Sequence, residues 1–452
     1  MNKAPGIDAV SNRMLMELCN VISDIVAELY NKSLSTGDVP QDWKMANVTA
    51  VFKKGKKTCP SNYRPISLTV SLCKILESII RDKVIDHLEK YKLIKDTQHG
   101  FVKNKSCLTN LLVFIEEITC YLDSGFPVDV IYLDFQKAFD KVPHRRLIHK
   151  LAAHGICGDV LQWIENWLVG RQQRVVLNGQ FSGWRKVISG VPQGSVLGPL
   201  LFVIYINDIH ESVACRILKF ADDTKIYSAV KSSEDIDNLQ ADLHNLVSWS
   251  KEWLMLFNVD KCKVVHMGYN NQQANYAMDG NNLESVSEER DLGVIVSEDL
   301  KWEKQCSKAV NKANQMLGMI KRSFSDRSTE TVIPLYKSLV RPHLEYCCQV
   351  WNPHYTKDIK LIEGVQRRAT KLVHGMEKLP YDDRLKYLKL MRLDTRRERS
   401  DLIETFKIIN NNYNIGADLF FQFDDGGRRG HCKKLFKRRF KWMLGSTCLV
   451  IV

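Results

Sequence analysis

The tetrapeptide FADD at 220–223 separates two short apolar runs, which span 215–220 and 224–230. Each run has the length and side chains of a β-strand, so the pattern predicts a hairpin with Asp222 and Asp223 at its tip. Adjacent aspartates on a buried turn repel each other, and one would protonate unless a cation lies between them. A solvated turn is the ordinary alternative for an isolated Asp-Asp pair.

A third carboxylate favours a metal site over a solvated turn. Asp134 lies at the end of another apolar run, at 128–135, which predicts a sheet strand with an acid at its rim. Three acids brought together from two strands and a turn are the ligand set expected of a two-metal phosphoryl-transfer site.

Read with its surroundings, FADD resembles the catalytic hairpin of reverse transcriptases of non-LTR (LINE-type) retrotransposons, specifically the jockey-like group. The resemblance covers roughly residues 1–420, with several motifs in the family's order. It implies an α+β, right-hand polymerase fold, with fingers, a palm built on an antiparallel sheet, and a helical thumb. It also implies RNA-directed DNA polymerase activity, in which Asp134, Asp222, Asp223 and the carbonyl of Phe135 hold two Mg²⁺ ions, with Mn²⁺ as a substitute.

The resemblance places basic residues of the fingers against the incoming deoxynucleoside triphosphate. These are Lys53 or Lys54, which follow an apolar strand, and Arg64, which lies in the motif NYRPISL. A planar guanidinium and an ammonium both suit phosphate oxygens. For the lysines, a solvated charge run is an equal alternative.

The sugar and base of that nucleotide are expected against a second group of residues. Phe139, five residues after Asp134, matches the steric gate of reverse transcriptases, whose ring would clash with a 2′-hydroxyl. A core phenylalanine is the alternative. A glycine- and proline-rich loop before a helix allows close backbone approach, and the resemblance assigns three of its residues to the pocket: Gln193, Gly194 and Ser195.

Three further assignments depend on the resemblance alone. Lys261, expected on a strand, corresponds to a lysine that protonates the departing pyrophosphate, although Lys263 is close and a solvated lysine is commoner. The segment 290–302 is similar to the hairpin that positions the primer end. Phe101 and Lys103 correspond to residues near the template, where packing and solvation explain them equally well.

Positive charge is concentrated in the last third of the chain. Residues 301–452 carry a net charge of +15 within an overall +13, whereas residues 1–300 are nearly neutral. This imbalance predicts a polyanionic partner that the C-terminal part holds. Helical stripes are expected there: one at Val310, Ala313, Leu317, Ile320 and Phe324, and one at Ile362, Val365, Ala369 and Leu372.

The second stripe leaves Arg367, Arg368 and Lys371 on a basic helix face. Such a face could hold a duplex by its phosphates; solvated cations on an ordinary bundle are the alternative. The expected partners are an RNA template, a DNA primer or target, and deoxynucleoside triphosphates.

The predicted organisation has three parts. Fingers and palm occupy 1–275, a primer-grip hairpin and helical thumb occupy 276–380, and a basic C-terminal region occupies 381–452. Family members normally carry an endonuclease before the first matched motif, so we expect a fragment or decayed copy without it. The sequence after residue 441 no longer resembles the family, and the cluster 433–441 could be a nuclear-import signal or a nucleic-acid patch.

Several classes of protein are disfavoured. Thirteen scattered cysteines without a C-x-x-C pair fit neither a zinc ribbon nor a disulfide framework. No apolar run reaches the length of a membrane span, so a nuclear or cytoplasmic protein without a membrane partner is expected.

Two other functions share these features. A catalytically inactive element copy would bind RNA without extending it, and the intact acids disfavour this reading. An RNA-dependent RNA polymerase has the same palm chemistry, but FADD in place of a glycine-containing turn and Phe139 both weigh against it.

Overall fold

The computed structural model describes residues 4–53, 55–423 and 435–436, and it is α+β as predicted. Its strands are β1 (Met45–Phe52), β2 (Tyr63–Leu68), β3 (Val128–Leu133), β4 (Gln172–Leu177), β5 (Gln180–Phe181), β6 (Arg185–Lys186), β7 (Arg216–Phe220), β8 (Asp223–Ala229), β9 (Lys263–Met267), β10 (Ala277–Met278), β11 (Asn281–Asn282), β12 (Glu284–Ser285), β13 (Glu288–Asp291), β14 (Val294–Ser297), β15 (Gln422–Phe423) and β16 (Leu435–Phe436). Its α-helices are α1 (Asn12–Thr36), α2 (Ser71–Lys90), α3 (Cys107–Asp123), α4 (Ala138–Lys141), α5 (His144–Ala153), α6 (Gly158–Leu168), α7 (Gly198–Tyr205), α8 (Ser233–Glu252), α9 (Glu303–Ser323), α10 (Thr329–Leu335), α11 (Arg341–Glu345), α12 (Thr356–Lys371), α13 (Tyr381–Tyr387), α14 (Leu393–Ile409) and α15 (Ala417–Phe420).

The central sheet has the strand order β12-β9-β3-β8-β7. Strand β3 lies in its middle and runs antiparallel to both β8 and β9. Its nearly continuous apolar sequence reflects burial on both faces, as expected for a central strand. The short strand β12 pairs with β9 in parallel, so the sheet is antiparallel, as predicted, except at this edge.

The two faces of the central sheet bury two separate cores. Ile131 and Leu133 contribute to one core with α7 and α8. Val128 and Val130 contribute to the other, together with α3, α9 and α12. This division follows from the two-residue period of a strand, which turns alternate side chains to opposite faces.

A second sheet has the order β2-β1-β4-β5, with β6 also paired to β4. The predicted fingers hairpin is present as β1 and β2, with Val51 opposite Arg64. Helix α1 packs against α6, and its Tyr30 meets Trp43, just before β1, edge-on. Ser11 begins α1 by accepting a hydrogen bond from the amide of Met14, and Gly37 ends it at φ +74°.

The C-terminal part is helical, as expected. The predicted hairpin at 290–302 forms as β13 and β14. Phe324 departs from the first predicted stripe, because α9 ends before it and leaves its side chain 38% exposed. Of the basic cluster at 433–441, the structure describes only 435–436, and the tail after 441 lies outside the described residues.

No helix among the described residues is both long enough and apolar enough to cross a membrane. The cysteines in the described part of the chain are all free thiols.

Candidate active site

The tip of the β7–β8 hairpin is a strained turn that a side chain from another segment stabilises. Phe220 pairs with Asp223, which leaves Ala221 and Asp222 as the two turn residues. Ala221 has φ +55°, a conformation that costs a non-glycine residue about 1–2 kcal/mol. The amide of Ala221 donates to Oε1 of Gln98 over 3.0 Å, and this bond fixes the turn.

Gly100 packs directly against the same turn. A Cβ atom at this position would lie 2.3 Å from the backbone nitrogen of Ala221, so only glycine fits. Gln98, which accepts a second hydrogen bond from the amide of Gly100, was not predicted as a site residue. The signal in the sequence was a polar residue two positions before a glycine.

Asp134 lies beside the hairpin tip, as predicted. The register pairs Leu133 with Thr224, so the next residue on each strand, Asp134 and Asp223, meet at the same end of the sheet. Both line a cavity of about 200 Å³. Reduced hydration raises the pKa of Asp222, and the negative charge of Asp134 raises it further.

The pKa of Asp223 is raised to about 6, although its side chain keeps contact with solvent. Reduced hydration is the largest cause, followed by the charges of Asp222, Asp291 and Asp134. The mutual repulsion predicted for adjacent aspartates is therefore present. This repulsion disfavours the ionised form of Asp223 and favours a cation bound between the acids.

The donor set fits a hard divalent cation such as Mg²⁺, which prefers carboxylate and carbonyl oxygens. Within the described residues, however, no group of three or more His, Cys, Asp or Glu side chains is arranged to hold an ion. A bound ion would therefore have to draw these side chains together.

The backbone around Phe135 turns its carbonyl towards the hairpin side. The carbonyl of Asp134 accepts from the amide of Asn258 over 2.7 Å, and the amide of Gln136 donates to Leu256 over 2.9 Å. Because alternate residues of an extended chain point to opposite sides, the carbonyl of Phe135 faces away from that segment. Its orientation fits the predicted metal ligand.

Lys261 contacts Asp134, an interaction that the sequence did not predict. It lies in a single 3₁₀ turn before β9 and not on the strand, which corrects the expected placement. Its Nζ donates to Oδ2 of Asp134 over 2.9 Å, and both side chains remain partly exposed. The ammonium thus occupies part of the space beside Asp134 that a metal ion would need.

A buried ion pair joins the acid turn to the hairpin β13–β14, and it also went unpredicted. Lys225, two residues after Asp223, pairs with Asp291, and both side chains are almost completely buried. The ammonium of Lys225 also lies 4.1 Å from the centre of the Phe114 ring. A lysine within an otherwise apolar strand was the available signal.

The fingers hairpin presents positive charge to the acids. Lys53 follows β1, and Arg64 lies on β2; both are exposed. The charge of Arg64 lowers the pKa of Asp222, and that of Lys53 opposes the rise in the pKa of Asp223. Lys54 lies outside the described residues.

Phe139 is a half-buried ring at the edge of the core. It stacks on Phe202 with ring centres 4.5 Å apart, and it meets Phe101 edge-on at 6.5 Å. Phe101 is itself 53% exposed. Lys103 is exposed and lies 3.9 Å from Glu89.

The glycine-rich loop before α7 packs next to Phe139. The amide of Val191 donates to the carbonyl of Phe139 over 2.8 Å. Nε2 of Gln193 donates to Oδ1 of Asp140 over 3.1 Å, which gives Asp140 a structural hydrogen-bonding role. Gly194 has φ +115°, and a Cβ there would lie 2.5 Å from the carbonyl oxygen of Ser67.

The hydroxyl of Ser195 is used within the loop itself. Its hydroxyl donates to the carbonyl of Pro192 over 2.8 Å and accepts from the amide of Gly198 over 3.0 Å. The residue is buried. Its hydroxyl thus stabilises the turn that leads into α7.

The basic face predicted on α12 is exposed. Arg367 lies over the ring of Tyr381 at 4.1 Å, Arg368 donates to Asn314 over 3.0 Å, and Lys371 is exposed. The opposite face, with Ile362 among its buried residues, packs into the core. The helix therefore has the predicted polarity.

Comparison with curated proteins identifies relatives from mobile elements. The chain is 26% identical to the probable RNA-directed DNA polymerase from transposon X-element of Drosophila melanogaster, over 83% of this chain and 42% of that protein. It is 28% identical to the probable RNA-directed DNA polymerase from transposon BS of the same species, over 82% of this chain and 43% of that protein. It is 25% identical to the RNA-directed DNA polymerase from mobile element jockey of that species, over 83% and 42% respectively. The chain thus spans less than half the length of these relatives.

Among solved structures, an apo telomerase from Candida tropicalis is similar over 81% of this chain and 66% of that chain, with 10% identity and a TM-score of 0.45. The model of the family described as reverse transcriptase (RNA-dependent DNA polymerase) matches residues 52–318, which is more than half of the chain and includes all three acids of the site. The chain belongs to the reverse transcriptase family.

Proposed function

We propose that this chain is the polymerase of a non-LTR retrotransposon and extends the 3′-hydroxyl of a DNA primer on an RNA template. The observation that carries the proposal is the register of β3 and β8, which brings Asp134 beside Asp222 and Asp223 at one end of the central sheet. Carboxylates in this arrangement suit two-metal nucleotidyl transfer.

Asp134, Asp222, Asp223 and the carbonyl of Phe135 would hold two Mg²⁺ ions, for which Mn²⁺ could substitute. When bound, these ions would activate the 3′-hydroxyl and stabilise the pyrophosphate that leaves. Asp134 would exchange its contact with Lys261 for the metal. The freed ammonium would then be available to donate a proton to the pyrophosphate.

Residues around the acids would bind the deoxynucleoside triphosphate. Lys53 and Arg64 already act electrostatically on the acids and would contact the phosphates; Lys54 is proposed for the same role from its sequence position. Phe139 would exclude a 2′-hydroxyl from beneath the sugar. Gln193 and Gly194, on the loop beside it, would border the sugar and base.

The rest of the chain would hold the template and primer. The second sheet and the central sheet without its edge strand β12 lie in the proposed fingers and palm at 1–275. Strands β12 to β14 and helices α9 to α12 lie in the proposed hairpin and thumb at 276–380. Arg367, Arg368 and Lys371 would contact duplex phosphates. Phe101 and Lys103 would lie near the template, and the basic region 381–452 would add charge.

An extension assay tests the proposal. Purified protein is incubated with a primed RNA template, deoxynucleoside triphosphates and Mg²⁺, and binding is measured by gel shift in the same salt. We expect the wild type to extend the primer and Asp134→Asn, Asp222→Asn and Asp223→Asn to abolish extension with the thermal unfolding midpoint retained. Asp279→Asn, an exposed acid that pairs with Lys251, serves as the matched control.

Extension retained by Asp222→Asn would refute the assignment of the acids. Wild-type protein that binds the template without extending it would instead favour an inactive copy that only binds RNA.

A further inference from the structure

Glu77 on α2 is fully buried and bonded to the loop that precedes α7. Its Oε2 accepts from the amide of Val196 over 2.6 Å and from the amide of Leu197 over 3.3 Å. Its Oε1 accepts from the thiol of Cys73 over 3.3 Å. The two amides are donors at the start of a helix, where no intrahelical partner is available.

A buried cation stabilises this carboxylate. Arg171 is also buried, and its guanidinium lies 4.7 Å from the ring of Trp167 and donates to the carbonyl of the same residue over 3.1 Å. Burial raises the pKa of Glu77, whereas the bond from Val196 and the charge of Arg171 lower it. Glu77 is therefore a fixed acceptor inside packed helices and not a mobile surface acid.

Other hydrogen bonds attach the first half of the loop to its surroundings, and they include the bond from Gln193 to Asp140. The amide of Val191 bonds the carbonyl of Phe139 over 2.8 Å, and the amide of Ser67 donates to the carbonyl of Gln193 over 2.6 Å. Gly194 can lie against Ser67 only because it lacks a side chain. These attachments act on the first half of the loop. At the end that joins α7, Ser195 bonds within the loop, and Glu77 is the partner from another element among the described residues.

We propose that Glu77 is a positioning residue that sets the place of Gln193 and Gly194 and, through Val191, the depth of Phe139 in the nucleotide pocket. It touches no nucleotide. The inference rests on the proposed function, because it makes Glu77 a determinant of the choice between deoxyribonucleotides and ribonucleotides. Releasing the loop end would let Phe139 and its neighbours move away from the sugar.

The ratio of kcat/KM for a deoxynucleoside triphosphate to that for the matching ribonucleoside triphosphate measures this effect. A lower active fraction reduces both values equally and leaves the ratio unchanged. We expect Glu77→Leu to lower the ratio by about tenfold, since a displacement of about 1 Å in a site can cost as much as 10²-fold. Glu77→Gln should lower it less, because its amide oxygen still accepts from the loop.

Glu89→Gln, an exposed glutamate near the end of the same helix, is the matched control and should leave the ratio unchanged. Hydrogen exchange of the 189–198 segment provides a second readout that needs no catalysis. Faster exchange at Val196 and Leu197 in Glu77→Gln than in Glu89→Gln is expected. Should Glu77→Leu fail to fold, Glu77→Gln carries both measurements.

An unchanged ratio in a folded Glu77 variant, or unchanged exchange at Val196 and Leu197, would overturn the inference. Wild-type protein that extends no primer would refute the proposed function instead. In that case the exchange measurement still decides whether Glu77 holds the loop.

Discussion

The ammonium of Lys261 lies 2.9 Å from Oδ2 of Asp134, and the two residues lie at the same end of the strand pair β3–β9. Both are partly exposed, so the contact is readily exchanged for one with another cation. In the proposed reaction this exchange couples metal binding to the release of a proton donor. Lys261 is thus both a competitor for the metal site and a candidate acid.

Lys261→Met tests which of these roles matters. We expect kcat for extension to fall by about 10²-fold, a typical contribution of a positioned general acid. Lys261→Arg should restore the pair with Asp134 without restoring the rate, because a guanidinium keeps its proton. Single-turnover kinetics measure the effect, and Lys263→Met, which removes a lysine paired with Glu284, is the control. Full recovery by arginine would exclude the proton-donor role.

Phe139→Val should relax the exclusion of ribonucleotides. Removing the ring opens space for a 2′-hydroxyl, so the preference for deoxyribonucleotides should fall by roughly 10–100-fold, the range of steric discrimination in enzyme pockets. Steady-state kcat/KM for both nucleotides measures this preference. Tyr269→Val, at an exposed aromatic residue, should leave it unchanged. An unchanged preference in Phe139→Val would show that Phe139 is a core residue and not a steric gate.

Breaking the buried pair of Lys225 and Asp291 should lower the stability of the fold, whereas replacing both residues with apolar ones should not. Asp291→Asn or Lys225→Met alone leaves one buried charge without its partner, which should reduce the free energy of unfolding by about 3–5 kcal/mol. The double variant Lys225→Met/Asp291→Leu should recover most of this loss. Urea unfolding measures all three. Single variants as stable as the wild type would show that water already solvates the pair.

Lys219 is fully buried beside the acid turn, and its burial should make the free energy of unfolding rise with pH. Its Nζ donates to the carbonyls of Ile206 and Asn207 over 3.3 and 3.2 Å, and burial lowers its pKa from 10.5 to about 7. Between these values the unfolded chain binds more protons than the folded chain, so stability rises with pH in this window.

Relative to Lys219→Met, the wild type should therefore gain free energy of unfolding from about pH 7 to pH 10, at up to about 1.4 kcal/mol per pH unit. Chemical unfolding at several pH values measures the difference. A difference that stays constant across this window would mean that Lys219 remains charged in the fold.

Arg367, Arg368 and Lys371 should contribute to nucleic-acid affinity through phosphates alone. Replacing all three with glutamine should weaken binding of an RNA–DNA duplex and flatten the plot of log affinity against log salt by about 0.9 per lost contact. Lys304 and Lys357, which already pair with Glu288 and Glu303, are matched controls and should leave the slope unchanged. If the α12 variants and the controls gave the same slope, α12 would not contact the duplex phosphates.

Features that depend on local sequence could be predicted before the structure. The strands on either side of FADD, the strand that ends at Asp134, and the hairpin of Lys53 and Arg64 all form at the expected positions. Their hydrophobic periodicity and turn residues act within a few positions of each other. The polarity of α12 follows from the same kind of local pattern.

The roles of several side chains could not be predicted in this way. Ser195 has the right motif for a nucleotide contact, yet its hydroxyl is used within its own turn. Lys261 matches a proton donor, yet it contacts Asp134 from a turn outside the strand. In each case the outcome depends on which partner lies within about 3 Å, and sequence spacing alone does not give that distance.

The sequence by itself determined the family, the strands around the three acids and the helical character of the last third, because these depend on residue type and short-range periodicity. Only the tertiary structure decided what surrounds those acids. Lys225 meets Asp291, Gln98 meets Ala221 and Glu77 meets Val196 across 66, 123 and 119 positions of sequence. Such pairs form because a buried charge or a strained amide needs a partner wherever the packed chain can supply one.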